Sequence, residues 1–418
     1  MARSALCSCT MRPCASLVLL IALAGCGQTT DIVGSRSDES STEVPTNPGD
    51  VLGPRLGVPE SESQAAIRSA FEQLFFGDYD TEAVYRVDGD DAAYIENVKM
   101  GDVRTDSIGY GMLVTVQLDE QEIFDKLWTW AKRHMLETEP PREGILSWRC
   151  STQGTECTGV GATDATTVIA TALFMAEAAW GGEGTHDYAK DANQVVDAMV
   201  LTEERNNGII DVQNLFDVSS ALPRKTSSAG DDEYLKPDYL MPAFYEYWAS
   251  WRSEDARFWL RAARSSRELL ELAFLEDTGL IPAQITAEGS PAPIIDYYDE
   301  LTARTLLNRW LDFSWFDERA AISEANGLLL EFFLERSAES EYVSSYYLNG
   351  DVRGTKNTPA HLALVATAAA TSENADHDVF LQALVDEPIP EGTDRYYQGM
   401  LYLVCWLAVS GHLQPFGL

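Results

Sequence analysis

Residues 121–136 read QEIFDKLWTWAKRHML and residues 167–180 read TVIATALFMAEAAW, and the contrast between them decides the fold class. Wound as a helix, the first puts Ile123, Phe124, Leu127, Trp128, Ala131 and Met135 on one side. Asp125, Lys126, Lys132 and Arg133 fall on the other, so one face meets water. The second is apolar nearly all round, which a helix tolerates only when it has neighbours on every side. Residues 239–251 and 255–273 repeat the contrast, with Phe244, Tyr245, Tyr247 and Trp248 in the first member.

Working outward, helical periodicity marks twelve stretches: 64–76, 108–118, 121–136, 165–180, 188–202, 239–251, 255–273, 300–311, 317–334, 358–371, 377–386 and 396–410. No stretch alternates convincingly as a strand. Buried helices paired with amphipathic ones predict an all-α fold of six inner and six outer helices, an (α/α)6 barrel. A helical solenoid would share the periodicity, but no repeating signature of one is present.

The amino terminus belongs to a different class. Arg3 and Arg12 precede an apolar run, Ala15 to Ala24, that is too short to span a bilayer and has the size of a signal-peptide core. It ends in Leu23, Ala24, Gly25 and Cys26, which resembles a bacterial lipobox. The reading is a signal peptide over 1–25, a lipid-bearing Cys26 opening a flexible tether over 26–62, and one folded domain over 63–418. An ordinary signal peptide with an incidental cysteine is the alternative. The tether is rich in Ser, Thr, Pro, Gly and acid and cannot bury enough surface to offset the entropy of ordering. Export to the cell envelope, a lipid anchor in a membrane and a monomeric body are expected.

Charge narrows the ligand class. The formal net charge is -36, and with two arginines in the leader and five net negative charges in the tether the body carries -33. That excludes nucleic acid and disfavours polyanionic glycans, while neutral glycans or a polycation remain compatible. Of seven cysteines, Cys150 and Cys157 lie seven apart in a loop-like stretch, where an oxidising compartment permits a disulfide. Cys405 sits in an apolar run as a buried thiol. The cysteine spacing and five scattered histidines match no metal motif, so neither metal nor cofactor is expected.

The long loops, roughly 77–107, 137–164, 203–238, 274–299 and 335–357, mostly lead into the inner helices. At their ends stand Asp106, Asp164, Asp238, Asp299 with Glu300, and Asn357 with Thr358. Taken singly, each is explained as a helix N-cap. Several carboxylates on one rim, with aromatics beside them, are what a sugar-cleaving groove needs.

Residues 102–112 (DVRTDSIGYGM) resemble the signature of glycoside hydrolase family 8, in which Thr or Ser, then Glu-Gly, leads into Ser/Gly-Tyr-Gly-Met. Trp148 followed by Gly161, Ala162, Thr163, Asp164 and Ala165 resembles the family's Ala-Thr-Asp-Ala segment. Pro237, Asp238 and Tyr239 resemble its Pro-Ser-Tyr helix start, and residues 311–316 (LDFSWF) and 396–402 (YYQGMLY) resemble later segments. Within the family these are most similar to the branch releasing xylose from xylo-oligosaccharide reducing ends. The resemblance runs in order over about 85–418 and implies the (α/α)6 barrel and an inverting hydrolysis of β-1,4-linked glycans. Xylan-type chains are the first expectation, cellulose or chitosan the next.

Inversion needs an acid on the leaving oxygen and a base on a water, roughly 6.5–9.5 Å apart. The family's general-acid Glu corresponds to Asp106, one methylene shorter. Its base precedes an arginine by three residues, and with Arg304 as that arginine the base position falls on Leu301, which cannot accept a proton. With a two-residue insertion the match is Tyr298 and Asp299, and Glu300 is a third option. By the same resemblance Asp164 holds the distorted sugar, Trp148 stacks on a sugar ring, Tyr110, Tyr239 and Tyr397 face the groove, and Arg304 orients a carboxylate. The alternative function is a catalytically degenerate relative that binds glycan at the surface without cutting it.

Overall fold

The structure is a computed structural model that describes residues 49–205, 211–230, 233–316, 319–339 and 342–418. The signal peptide, Cys26 and most of the expected tether lie outside these. Helices dominate: α1 Leu52–Leu56, α2 Glu60–Phe76, α3 Thr105–Gln117, α4 Gln121–His134, α5 Thr163–Trp180, α6 Tyr188–Arg205, α7 Pro242–Trp251, α8 Ala256–Ala273, α9 Glu300–Phe316, α10 Arg319–Glu339, α11 Pro359–Ala369, α12 Asp378–Asp386 and α13 Arg395–Val409. None of the described helices is long and apolar enough to cross a membrane.

All twelve helices read from periodicity are present, with ends shifted by a few residues. The largest shifts are at the carboxyl ends of α9 and α10, each five residues beyond the expected end, and the start of α7 moves by three. Residues 237–239 form a separate 3-10 turn, and the helix begins at Pro242, whose missing N–H costs nothing in the first turn. The folded part also starts earlier than expected. Residues 49–62 are not tether: α1 packs near α12, Leu52 is buried, and Asp50 bridges to Ser410.

The two kinds of helix separate as their sequences require. In α5 every residue from Thr163 to Ala176 is buried. In α4 only the face of Ile123, Phe124, Leu127, Trp128, Trp130 and Ala131 is buried. The buried helices touch one another in succession, α3 with α5, α5 with α7, α7 with α9, α9 with α11, α11 with α13, and α13 with α3 again. Five half-exposed helices pack on the buried helix before them, α4 on α3, α6 on α5, α8 on α7, α10 on α9 and α12 on α11, and the sixth, α2, packs on the last buried helix, α13. Close approach explains the glycines of the GYGM run. A Cβ on Gly109 would lie 3.2 Å from Val168 of α5, and one on Gly111 3.0 Å from Leu127 of α4.

The expectation of no strands is corrected. Strands β1 Tyr85–Asp88, β2 Ala92–Asn97, β3 Asp102–Arg104 and β4 Arg149–Ser151 form an antiparallel sheet in that order. Tyr297–Tyr298 (β5) and Tyr346–Tyr347 (β6) pair as a ribbon. These strands have two to six residues, too few for a period of two to stand out from loop sequence. Their role is local. β3 runs directly into α3, and β4 beside it is tied by the Cys150–Cys157 disulfide. Cys405 is buried as expected, and burial pushes its thiol up.

Candidate active site

One cleft, of about 1220 Å³, gathers most of the polar residues expected at the inner-helix ends. Its chemistry comes from the amino-terminal turns of the buried helices: Asp106 from α3, Asp164 from α5, Glu300, Leu301 and Arg304 from α9, Thr358 ahead of α11, and Tyr396, Tyr397 and Gln398 from α13. Tyr239 enters from the turn before α7. Five amino-terminal ends at one cleft leave orphan N–H groups and positive dipole ends there, a setting that favours carboxylates.

Asp106 does not cap α3; it lies within the first turn, and the cap position is Arg104. The strand before it fixes its place, because Thr105 N–H donates to Trp148 O at 3.1 Å and Ser107 Oγ accepts from Arg104 N–H at 3.2 Å. Asp106 Oδ1 accepts two bonds, from Ser107 N–H at 3.0 Å and from the Tyr396 hydroxyl at 2.9 Å. Burial pushes its pKa up and the charge of Asp164 adds to that, while Tyr396, Arg304 and Arg104 pull the other way. A carboxyl group that holds its proton is what general-acid work requires.

Asp164 is likewise not a cap, since that position in α5 is Ala162. Arg304, only 5% exposed, donates through Nη1 to Asp164 Oδ2 at 2.8 Å and through Nη2 to Asp238. One guanidinium therefore bridges two buried carboxylates, and removing either partner would strand charge at a cost of about 3–5 kcal/mol. The expected orienting role of Arg304 thus has two objects, and its Nε also donates to Leu301 O at 3.3 Å. Tyr110 does not line the cleft wall; it lies buried behind it, within the field of Arg304, Asp164 and Asp106.

At the start of α9 three neighbours have separated. Asp299 caps the helix, its Oδ1 accepting Thr302 N–H and Thr302 Oγ1–H, both at 3.1 Å, and it is absent from the cleft lining. Leu301 faces the cleft and is 46% exposed. Glu300 also faces it. One Glu300 oxygen accepts Gln398 Nε2–H at 2.9 Å, and the other accepts the Thr358 hydroxyl. Burial pushes the Glu300 pKa up, the two donors pull it down, and Asp299 and Asp394 push it up.

Trp148 lines the cleft half-buried, but its ring is not bare: Arg104 and Arg149 guanidinium carbons lie 5.6 and 5.3 Å from its centroid. Tyr239 sits under Lys236 at 4.5 Å. The Tyr397 hydroxyl is buried with no hydrogen-bond partner among the described residues. Tyr396 and Gln398 were not among the candidate site residues named from sequence, whereas Thr358 was named as a polar residue at an inner-helix end. Tyr396 and Gln398 flank Tyr397 in the YYQGMLY run, and their contacts depend on tertiary partners with no local signal.

The helical architecture agrees with the comparisons. The description Glycosyl hydrolases family 8 matches residues 61–411. The chain belongs to that family. It is therefore an O-glycosyl hydrolase by descent, similar to a reducing end xylose-releasing exo-oligoxylanase of Halalkalibacterium halodurans at 31% identity over 86% of this chain and 92% of that one. Among solved structures it is similar to Rex8A of Paenibacillus barcinonensis complexed with xylose (TM-score 0.82, 28% identity, 88% of this chain and 98% of that one). A family 8 xylobiose complex from Teredinibacter turnerae superposes with TM-score 0.82 at 30% identity, covering 87% of this chain and 97% of that one.

Proposed function

We propose that this family 8 chain is an inverting glycosidase of β-1,4-linked xylo-oligosaccharides, with Asp106 as general acid and Glu300 as general base. One observation carries the assignment. Both donors to Asp106 converge on Oδ1, and Oδ2 has no partner among the described residues, which leaves a place for an acidic proton. Glu300 instead receives one donor on each oxygen, an arrangement that suits a carboxylate. Protonated Asp106 delivers its proton to the leaving glycosidic oxygen as the bond to the anomeric carbon breaks. Glu300 takes a proton from the water that attacks the opposite face, and the anomeric configuration inverts.

On this reading both catalytic positions depart from the family pattern. The acid is Asp in place of Glu, and the base is borne one residue before Leu301, the site matched by sequence. Asp299 is left with its capping role. The xylan-type substrate is supported by the named activity of the relatives, with cellulose-type chains next. The closed succession of buried helices, each backed by an amphipathic one, supports the (α/α)6 barrel as the scaffold. Export with lipidation at Cys26 is proposed from the leader pattern alone.

Asp106→Asn and Glu300→Gln test the assignment. Each lowers kcat by about 10²–10⁴-fold while oligosaccharide Kd, measured by calorimetry, stays within a few-fold. Wild-type kcat in either variant would remove that residue from its role.

A further inference from the structure

We propose that Thr358 and Gln398 are positioning residues that hold Glu300 ionised in a single orientation, an inference that rests on Glu300 being the base. A glutamate removed from water is driven towards its neutral form. The donors around this one work against that, and their own partners leave each a single way to point.

Gln398 Oε1 accepts Ala360 N–H at 2.7 Å, which turns the amide so that Nε2 meets Glu300 Oε1 at 2.9 Å. Thr358 caps α11, its Oγ1 accepting His361 N–H at 3.3 Å, so the one hydroxyl hydrogen goes to Glu300 Oε2. The support extends behind Thr358. Asn357 Oδ1 accepts Thr358 N–H at 3.0 Å and lies 2.7 Å from His361 Nδ1, while His361 Nε2 lies 2.9 Å from the Tyr298 hydroxyl. His361 is fully buried and burial pulls it down to about 3, so it is neutral. With one proton it donates through Nδ1 to Asn357 and accepts through Nε2 from Tyr298. Tyr298 stands two residues before Glu300, which locks the start of α9 to the start of α11.

Both hydrogens therefore point at Glu300. A proton on either of its oxygens would confront an existing donor and displace it. The amino-terminal dipole of α11 acts in the same direction. The other charged and titratable groups in its field are Asp299 on its own helix, Asp394 ahead of α13, Lys99 between β2 and β3, and Tyr397 and Tyr298. These stay the same in the variants below.

The test is the pH profile of kcat/KM on xylo-oligosaccharide, whose acid limb reports the base of the free enzyme. A donor that favours the ionised form lowers the Glu300 pKa, so its loss raises that pKa and moves the acid limb to higher pH. Thr358→Val and Gln398→Met each move it by about one unit, and Thr358→Ser restores the wild-type limb. An unmoved limb in both apolar variants, even with a lowered Tm, would overturn the clamp and leave these residues a structural role. Gln398→Met decides the matter should the loss of the α11 cap leave Thr358→Val unfolded. Glu300→Gln separates this from the underlying reading. Full activity in that variant removes the base itself, whereas an inactive variant with unmoved limbs removes only the clamp.

Discussion

Asp106 and Asp164 are each the second residue of neighbouring helices, yet their surroundings differ. Arg304 reaches Asp164 and Asp238 directly, whereas the nearest donors to Asp106 are neutral, from Tyr396 and Ser107. Asp106 is raised by burial first and by the Asp164 charge second. An acid must be protonated, so activity is lost as pH rises through that raised pKa. Asp164→Asn removes the second cause and moves the alkaline limb of the residual activity to lower pH. A limb that stays or climbs would contradict the coupling. At this scale the sequence was a good guide to Asp106, Asp164 and Arg304, whose motifs stand in order. It was a poor guide at 299–301. Successive residues there differ by about 100° of rotation, and only tertiary contacts distinguish the cap, the cleft-facing carboxylate and the exposed leucine. Leu301 lines the cleft beside Glu300.

The elements were legible in proportion to their length. Helices of nine to twenty-one residues declare their buried face, and all twelve were found, whereas strands of two to six residues and α1, with five, were missed. The short pieces matter because they aim the site: β3 and β4 fix the approach to Asp106, and β5 the approach to Glu300. A comparable local constraint holds α10 against the loop after α8. Gly279 has φ +67°, and a Cβ there would lie 2.2 Å from Leu329 N, a backbone atom that cannot swing aside. Gly279→Ala therefore destabilises by about 2 kcal/mol or more, read as a lower urea midpoint with unchanged slope. An unchanged midpoint would mean that this junction is looser than described.

For the molecule as a whole, the alternation of buried and half-buried helices forecast which elements would touch, and the observed succession of contacts follows it. What that pattern could not forecast is that the amino-terminal turns of α3, α5, α9, α11 and α13 would supply one cleft, since helix direction is invisible to periodicity. The net charge of -36 gave the ligand class only by exclusion. It did not foresee that Lys99, Lys236 and Lys356 would line the same cleft as Asp106 and Glu300. The proposal on which the rest depends is that this cleft hydrolyses a glycan with inversion. The most direct measurement is anomer-resolved proton NMR of xylo-oligosaccharide incubated with the protein lacking residues 1–26. The first product anomer to appear is expected to have the configuration opposite to the cleaved bond. Appearance of the retained anomer, or calorimetric binding with no cleavage at all, would contradict it.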